Sequence, residues 1–395
     1  MSKSAHILKK LKSCLYVCSG GIGVFSALNI YQENEKFYEQ VLVPVSHLLN
    51  PETSHNFSIL ALKYNLLPRS RYKDPNSLNT KVWHLDFQNP IGIAAGFDKQ
   101  GEAISSLHDI GFGFVEIGSI TPLPQEGNAK PRVFRLPDNQ AIINRYGFNS
   151  EGHDSVYERV SQLKNDPSFK GVLGINLGKN KTSADPSDDY TKGILKFGEV
   201  ADYLVINISS PNTPGLRDWQ KKEHLQNLLS KLVVARNSLS CDPKPPLLLK
   251  LAPDLTTQEK HDIAQVILDP KCRVDGLIIS NTTVERSTDL TGPYSQESGG
   301  LSGRPLTLVS SNFIAEMYHL TKGEIPIIGV GGVFTGQDAF EKICAGASII
   351  QLYTSFVYHG PPRIKRIKNE LDDLLRINGF SSVSEAVGKR PFYRK

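Results

Sequence analysis

Eight short apolar runs recur along the chain, and stretches with helical spacing separate them. The runs cover residues 91–96, 114–120, 172–177, 203–208, 247–251, 276–280, 326–330 and 348–353. Buried strands that alternate with helices indicate a parallel sheet, and eight such units are the number that a closed (β/α)8 barrel requires. A doubly wound open sheet is the alternative, but no G-x-G-x-x-G sequence follows the first run. We therefore predict an α/β fold of the TIM-barrel type.

Almost every predicted strand ends in a polar side chain or in glycine. These strand ends are Ala95, Gly96 and Lys99; Ser119; Asn176 and Asn180; Asn207, Ser210 and Asn212; Lys250; Asn281 and Thr282; Gly331 and Gly332; Tyr353 and Thr354. Barrels of this type build their active sites at the carboxyl ends of the strands. Asparagines and lysines without clustered carboxylates suit a planar, anionic ligand rich in heteroatoms, whereas metal-dependent hydrolysis uses His, Asp and Glu. The pattern predicts a binding site without a metal.

The fourth run, YLVINISSPNTPG at residues 203–215, carries the densest group of polar residues. An ordinary turn from strand to helix is one interpretation, and an active-site loop with Ser210 as a reactive group is the other. Gly331 and Gly332 follow the seventh run, where barrels commonly bind phosphate, although tight turns also use glycine pairs. The loop NRYGFN at 144–149 is either a surface turn around Gly147 or a cover over the site.

The amino terminus is basic through Lys12 and then apolar from Leu15 to Ile30, with no charge before Glu33. We interpret residues 1–32 as a mitochondrial targeting sequence followed by a single membrane anchor. A secretory signal is disfavoured because no A-x-A-like cleavage site is evident and the five cysteines form no disulfide framework. A loosely ordered tail is the other alternative.

Two short, strongly apolar helices are predicted directly after this segment, over residues 35–49 and from Asn50 to a stop at Pro68. Such a pair is more often a helical hairpin that packs against its own domain than a unit that contacts a membrane. Because it follows a membrane-type segment, we expect a helical hairpin domain, residues 33–70, whose groove opens to lipid and admits a hydrophobic ligand. The net charge of +5 is too small to indicate nucleic acid as a partner.

Several long motifs match one family in the right order. They are NPIGIAAGFDK at 89–99, FGFVEIGSITPLPQEGN at 112–128, PRVFRL at 131–136, INRYGFNS at 143–150, NLGKNK at 176–181, NISSPNTPGLR at 207–217, SNTT at 280–283, GGLSGRPL at 299–306 and IIGVGGV at 327–333. The chain resembles the dihydroorotate dehydrogenases, specifically the membrane-associated, quinone-dependent class of mitochondria. The resemblance implies a catalytic domain at 78–395, a monomer at the mitochondrial inner membrane, and oxidation of dihydroorotate to orotate in de novo UMP synthesis.

The resemblance also assigns site residues. The implied FMN contacts are Ala95, Gly96, Lys99, Ser119, Asn144, Tyr146, Asn180, Asn207, Lys250, Ser280, Gly303, Gly331, Gly332, Tyr353 and Thr354. The implied substrate contacts are Lys99, Asn144, Arg145, Tyr146, Gly147, Phe148, Asn207, Asn212, Asn281 and Thr282. Ser210 is the implied base that removes the C5 proton while the C6 hydride passes to the flavin. A soluble class of the family carries cysteine at this position.

In the membrane class ubiquinone reoxidises the flavin through a tunnel between the two amino-terminal helices. The matching positions are Val43, His47, His55, Phe57, Ala61, Leu67, Pro68, Arg135 and Tyr353. His47 stands where glutamine is usual and Val43 where methionine is usual, and His47 could instead be an exposed helix residue. There are two alternatives to this function. One is a flavin enzyme with a related barrel that reduces uracil rings in tRNA and would need RNA contacts, and the other is a catalytically silent scaffold. The intact Lys99, Ser210 and Lys250 argue against the scaffold.

Overall fold

The computed structural model describes residues 3–389, and for residues 3–6 and 8 only the backbone. The first two residues of the predicted targeting segment 1–32 and the last six of the predicted catalytic domain 78–395 lie outside the described residues.

Eight parallel strands form a closed barrel, which confirms the predicted fold class. They are β1 (Ile91–Ile93), β2 (Phe114–Ile120), β3 (Val172–Leu177), β4 (Tyr203–Asn207), β5 (Leu247–Leu251), β6 (Gly276–Ile279), β7 (Ile327–Val330) and β8 (Ala347–Leu352). Each strand pairs with the next along the chain, and β8 pairs with β1. Three of the predicted runs, 114–120, 172–177 and 247–251, match the strands at both ends, and four others differ from them by one residue at one or both ends. The first run is three residues shorter than predicted, and Gly96 within it has a φ of 99°, outside the range of a strand.

Helices connect the strands and cover the outside of the barrel. They are Ile104–Asp109, His153–Lys164, Pro186–Phe197, Lys222–Asn237, Thr257–Leu268, Thr307–Leu320, Gly336–Ala345, Thr354–His359, Pro362–Ile377 and Val383–Ala386. Short 3₁₀ turns lie at Asn76–Leu78, Pro137–Asn139, Leu216–Gln220 and Arg304–Leu306. The main core lies between strands and helices, where side chains such as Ile117, Ile206 and Leu249 are fully buried.

Five further strands were not predicted from the sequence. Val133–Leu136, Ala141–Asn144 and Gly300–Gly303 form an antiparallel sheet that carries Asn144 and Gly303. Thr80–Val82 and Leu85–Phe87 form a hairpin whose Phe87 ring lies 5.4 Å from that of Phe114, the first residue of β2. The hairpin therefore packs at the amino end of the barrel, away from the predicted site. These strands have three or four residues each, too few to show a clear alternation.

Two helical units precede the barrel. The helix Lys3–Tyr31 contains one stretch, Lys9–Tyr31, that is long and apolar enough to cross a membrane by length and composition. Its mean hydropathy is 1.5, and almost none of it is buried in the protein. The predicted pair of helices follows, although the second ends at Lys63 rather than at Pro68. Asn65 adopts a φ of 53°, which ends the helical path earlier.

The two helices of the pair meet at a short turn. The first runs through Glu35–Phe37, the wider π-helical Tyr38–Leu42 and Val43–His47. Pro44 has no N–H to donate to the preceding turn, which favours this local widening. The second helix is Pro51–Lys63, and the Asn50 side chain accepts a hydrogen bond from Glu52 N at 3.0 Å. The local sequence thus sets where both helices bend and begin.

A bidentate ion pair holds the second helix of the pair on the barrel. Glu52 Oε1 lies 2.8 Å from Arg132 Nη2, and Glu52 Oε2 lies 3.2 Å from Arg132 Nε. The Arg132 side chain is only 7% exposed and also donates to the carbonyls of Glu126 and Asn128. Burial tends to raise the pKa of Glu52, but Arg132 and Lys130 outweigh it and lower that pKa. The carboxylate is therefore charged at neutral pH.

We expect Glu52→Gln to lower the free energy of unfolding by about 2–3 kcal/mol, because it removes a charge-assisted hydrogen-bond pair from a nearly buried guanidinium. Urea unfolding at neutral pH measures this difference. It should shrink as the pH falls through the lowered pKa of Glu52, because the wild-type carboxylate then becomes protonated. Glu102→Gln is the matched control, since Glu102 joins the same helix to the barrel through the exposed Lys63. It should change stability much less, and equal effects of the two variants would contradict the expectation.

Candidate active site

One cavity of about 540 Å³ extends from the carboxyl end of the barrel into the groove of the helix pair. A volume of this size is typical of sites that hold a cofactor or a small molecule. Twenty predicted residues line its barrel end: Ala95, Gly96, Lys99, Ser119, Asn144, Tyr146, Gly147, Phe148, Asn207, Ser210, Asn212, Lys250, Ser280, Asn281, Thr282, Gly303, Gly331, Gly332, Tyr353 and Thr354. At the helix-pair end the lining includes Val43, His47, His55, Phe57, Ala61, Leu67 and Arg135.

Three predicted site residues are not part of this lining. The Asn180 amide hydrogen-bonds both the N–H and the carbonyl of Leu123, at 2.9 and 2.8 Å, and so braces the loop after β2. The Arg145 guanidinium contacts Glu297 and lies 4.6 Å from the centroid of the Phe134 ring. Pro68 follows the cavity residue Leu67 along the chain. Their assignment as contact residues remains a prediction.

Ser210 lies in the loop that leaves β4, and its side chain is buried at the cavity wall. Its Oγ accepts a hydrogen bond from Asn212 N at 3.3 Å. In the part of the chain that the structure describes, no imidazole or carboxylate hydrogen-bonds this hydroxyl. The arrangement differs from a serine nucleophile activated by histidine, so any proton that Ser210 accepts must leave through water or another hydroxyl. Thr213, three residues further on, is also buried.

Side-chain amides and hydroxyls form a fixed cluster beside Ser210. Asn207 Nδ2 donates to Ser119 Oγ at 2.8 Å, and Asn207 Oδ1 accepts from Ser209 Oγ at 3.0 Å. Asn281 Nδ2 donates to Ser209 Oγ at 2.9 Å. Asn212 Nδ2 lies 3.1 Å from the Asn144 carbonyl. Because these amides hold one another, they present a pre-arranged set of donors and acceptors to a polar ring.

Glu116 does not line the cavity, but it contacts two residues that do, Lys250 and Gln351, and it was not predicted from the sequence. It lies in the middle of β2, is fully buried, and its Oε1 accepts from Asn176 Nδ2 at 2.9 Å. Its Oε2 accepts from Gln351 Nε2 at 2.6 Å, and its Oε1 lies 4.0 Å from Lys250 Nζ. The carboxylate is thus the counter-charge of Lys250 inside the barrel. A lone acid within an otherwise apolar strand was the available signal, since a buried carboxylate requires partners.

Two lysines bring positive charge to the cavity. Burial, assisted by Arg132 and opposed by Glu52, lowers the pKa of Lys99 to about 8. Its Nζ lies 4.3 Å from the centroid of the Tyr146 ring. Burial also lowers the pKa of Lys250, and Glu116 opposes this shift. A lysine with a pKa near 8 is mostly protonated at neutral pH, so the site attracts an anion.

The turn after β7 has the shape of a phosphate cradle. Gly331 and Gly332 adopt φ values of 110° and 68°, and a Cβ on Gly332 would lie 2.3 Å from Thr307 Oγ1. Their carbonyl oxygens face the helix Thr307–Leu320, at 2.9 Å from Ser310 Oγ and 2.8 Å from Thr307 Oγ1. The donor set and the bare backbone fit a phosphate, and the amide cluster beside Lys250 fits a flavin ring. Residues 3–389 contain no group of His, Cys, Asp or Glu arranged to hold a metal.

The helix-pair end of the cavity is apolar with a few polar groups. Arg135 Nη1 donates to the carbonyls of His47 and Leu49 at 3.3 and 3.1 Å. The His47 ring lies edge-on to Tyr358 at 5.5 Å, and the His55 ring lies edge-on to Phe97 at 5.1 Å. Burial lowers the pKa of both histidines to about 4, so both are neutral at physiological pH. His47 is partly buried at the cavity, rather than a fully exposed helix residue.

Comparisons with known proteins agree with this geometry. The family model described as dihydroorotate dehydrogenase matches residues 77–375. A mouse protein named dihydroorotate dehydrogenase (quinone), mitochondrial, is 50% identical over 388 residues, which cover 97% of this chain and 98% of the mouse protein. A rice protein of the same name is 48% identical and covers 88% of this chain and 79% of its own length.

Solved structures give the same result. The structure of DHODH from Eimeria tenella in complex with ferulenol superposes with a TM-score of 0.83 at 41% identity, covering 86% of this chain and 96% of that one. The ligand-free Eimeria tenella structure also has a TM-score of 0.83, at 42% identity and full coverage of that chain.

Proposed function

The chain belongs to the dihydroorotate dehydrogenase family, and on that premise we propose that it oxidises (S)-dihydroorotate to orotate in de novo pyrimidine biosynthesis, with ubiquinone as the electron acceptor. The observation that carries the proposal is a continuous cavity that joins a polar, cationic barrel mouth to an apolar groove between two helices. One end suits an anionic, hydrogen-bonding substrate, and the other suits a quinone.

Dihydroorotate carries a carboxylate and a ring with two amide groups. Lys99, protonated at neutral pH, would bind the carboxylate. The amide side chains would hydrogen-bond the ring, namely Asn144, Asn207, Asn212 and Asn281, with Thr282 and the Gly147–Phe148 backbone beside them. These groups would fix the C5 and C6 atoms against Ser210 on one side and the cofactor on the other.

The reaction converts the C5–C6 single bond to a double bond and removes a proton from C5 and a hydride from C6. Ser210 Oγ would take the C5 proton and pass its own proton to Thr213 or water. Bound FMN would supply the acceptor for the C6 hydride and the two-electron link between dihydroorotate and ubiquinone. Lys99 and Lys250 would stabilise the negative charge that develops on the substrate as the proton leaves.

FMN is the cofactor that this donor set fits. The phosphate would lie on the backbone of Gly303, Gly331 and Gly332 and on Thr354. The ring would lie against Ala95, Gly96 and Tyr353, with Ser119, Asn207, Lys250 and Ser280 at its polar edge. Asn180 would act by holding the loop at Leu123 rather than by contact, since its amide is already bonded there.

The amino-terminal units complete the proposal. Ubiquinone would enter between the two helices, past Val43, Phe57 and Ala61, and reach Arg135 and Tyr353. The helix Lys3–Tyr31 would anchor the protein in the mitochondrial inner membrane. We assign residues 1–32 to targeting and anchoring, 33–70 to the quinone tunnel and 78–395 to catalysis, and we propose a monomer that does not bind nucleic acid.

Removing residues 1–31 is expected to release the protein from membranes and to leave FMN binding unchanged. The deleted helix carries the stretch that could span a bilayer, whereas the cavity is formed almost entirely by later residues. Alkaline extraction of membranes, with the full chain as control, measures the release, and the yellow colour of the soluble fraction measures the flavin. If the shortened chain stays tightly membrane-bound, the helix pair is the anchor instead.

The function itself is tested by following orotate formation by its ultraviolet absorbance, with several electron acceptors offered in parallel. We expect turnover with a short-chain ubiquinone and little with NAD⁺ or fumarate, because the acceptor must enter an apolar groove. Turnover with a soluble acceptor alone would contradict the quinone assignment. Absence of turnover with all acceptors would favour the scaffold or the tRNA-modifying alternative.

A further inference from the structure

Lys342 is a fully buried lysine that the proposed reaction does not use. It lies on the helix Gly336–Ala345, and its Nζ donates three hydrogen bonds. The acceptors are the Thr307 carbonyl at 3.0 Å, Ser310 Oγ at 2.7 Å and Ser311 Oγ at 2.9 Å. All three belong to the first turns of the helix Thr307–Leu320. The ammonium group therefore has each proton bound, but only to neutral acceptors.

The charge of Lys342 lacks a counter-ion among residues 3–389, where no carboxylate oxygen lies within 4.0 Å of its Nζ. Asp338, one turn earlier on the same helix, accepts from the backbone N–H groups of Phe334 and Thr335 and from Arg304. Burial lowers the pKa of Lys342 to about 7, while Asp338 and Glu341 oppose the shift only in part. An unpaired buried ammonium is costly, and an anion bound nearby would offset that cost.

A hydrogen-bond relay connects Lys342 to the glycine turn at the cavity. Ser310 Oγ accepts from Lys342, so its own proton is free for the carbonyls of Leu306 and Gly331, at 2.8 and 2.9 Å. Thr307 Oγ1 lies 2.8 Å from the Gly332 carbonyl. Lys342 thus fixes Thr307 and Ser310, which bind the carbonyl oxygens of the glycine turn on the side that faces the helix.

The relay also sets the direction of the N–H groups. In a trans peptide the N–H points opposite to the C=O. Because the carbonyls of Gly331 and Gly332 face the helix, the N–H groups of Gly332 and Val333 point away from it, and both residues line the cavity. No hydrogen bond within the described residues uses these two N–H groups. They are donors available to a ligand.

We propose that Lys342 is a positioning residue for the FMN phosphate: through Ser310 and Thr307 it fixes the glycine turn, and its buried charge balances the phosphate. The inference rests on the proposed function, which supplies FMN as the ligand. Lys342 touches neither the phosphate nor the reacting atoms, and its effect is confined to the phosphate end of the cofactor.

The test compares the binding of FMN and riboflavin to the full-length apoprotein in detergent, by quenching of flavin fluorescence. Riboflavin carries the same ring without the phosphate. Lys342→Met keeps most of the length of the side chain and removes the ammonium group, and it should weaken FMN binding about 10–100-fold while riboflavin binding changes less than twofold. Ser310→Ala cuts the relay with a smaller change in volume and should weaken FMN binding severalfold, again without affecting riboflavin.

Lys368→Met is the matched control. Lys368 is also a buried lysine, but its Nζ pairs with Asp74 at 2.7 Å and donates to the Gly111 carbonyl, outside the cavity lining. This variant should lose stability and keep the wild-type ratio of FMN to riboflavin affinity. If the control changes that ratio as much as Lys342→Met, the effect is general and the inference is wrong.

Two other outcomes overturn the inference. If Lys342→Met and Ser310→Ala each weaken the binding of FMN and of riboflavin equally, Lys342 has a structural role only. If FMN binding is unchanged in the two variants, Lys342 has no role in binding the cofactor. Should Lys342→Met fail to fold, the FMN-to-riboflavin ratio of Ser310→Ala decides. Failure of the proposed function is distinguishable from failure of this inference. A wild-type apoprotein that binds FMN but does not oxidise dihydroorotate overturns the function and leaves the role of Lys342 standing, whereas a wild-type apoprotein that binds neither flavin overturns both.

Discussion

Replacing Ser210 with alanine is expected to slow the reduction of bound flavin by dihydroorotate about 10²–10⁴-fold, the range that a general base contributes. The hydroxyl lies at the cavity wall, and within residues 3–389 its one hydrogen bond comes from Asn212 N. Its removal therefore takes away the proposed proton acceptor and little of the local structure. FMN should stay bound, because the amide cluster and Lys250 are untouched. Stopped-flow absorbance under anaerobic conditions measures the rate, and the visible spectrum reports flavin content.

Ser210→Cys separates loss of a base from a change in shape. A thiol ionises near pH 8.5 when unperturbed, far more readily than a hydroxyl, so this variant should recover part of the rate and recover more of it as the pH rises. Ser210→Ala should show no such recovery. Flavin reduction within tenfold of the wild-type rate in Ser210→Ala at neutral pH would remove Ser210 as the base.

Lys99→Met is the second change with a large expected effect, a fall in kcat/KM for dihydroorotate of about 10²–10³-fold. The variant leaves the substrate carboxylate without its cation in a mostly buried site, where truncating one partner of a charge pair costs several kcal/mol. The Tyr146 ring beside Lys99 remains, so the packing changes little. Steady-state kinetics with saturating quinone measures the effect.

The pH profile gives an independent readout. The pKa of Lys99 in the free protein is about 8, and binding of a carboxylate favours the protonated amine. The wild-type kcat/KM should therefore be highest below about pH 8 and fall as the pH rises above it, because the free amine must first gain a proton. Burial is the main cause of this lowered pKa, with Arg132 lowering it further and Glu52 opposing the shift, and the fall should be absent in Lys99→Met.

Lys179→Met is the control for Lys99, since Lys179 is a buried lysine that lies near the site but not in its lining. Its Nζ donates to the Ser183 carbonyl at 2.8 Å. We expect kcat/KM to change little and the alkaline fall to persist. A similar loss in both variants, or an unchanged pH profile in Lys99→Met, would contradict the role of Lys99.

The barrel was predictable because each parallel strand is buried on both faces and therefore appears as a continuous apolar run. The polar ends of these runs, such as Asn207 and Asn281, were predictable as a site for the same reason, since parallel strands end at one face. The antiparallel sheet was missed because its strands are short and because four strands of the barrel separate Ala141–Asn144 from its partner Gly300–Gly303 along the chain. The local sequence pattern of neither segment predicts that the two pair.

Two buried residues outside the cavity lining, Glu116 and Lys342, show the same limit. Glu116 appears in the sequence as an exception within an apolar strand, and only the fold brings Asn176, Lys250 and Gln351 to it. Lys342 lies on the buried face of its helix, and the three groups that accept its protons belong to the neighbouring helix Thr307–Leu320. Burial and partners are properties of the tertiary structure, whereas periodicity and turn chemistry are local.

The most direct test of the account is an anaerobic absorbance spectrum of the purified protein, recorded before and after dihydroorotate is added and again after a short-chain ubiquinone is added. The account predicts a yellow protein that dihydroorotate bleaches and the quinone restores to its original colour, because one cavity serves both reactions. A colourless protein, or a flavin that dihydroorotate does not bleach, would contradict the proposed function. A bleached flavin that the quinone fails to restore would contradict the tunnel between the amino-terminal helices.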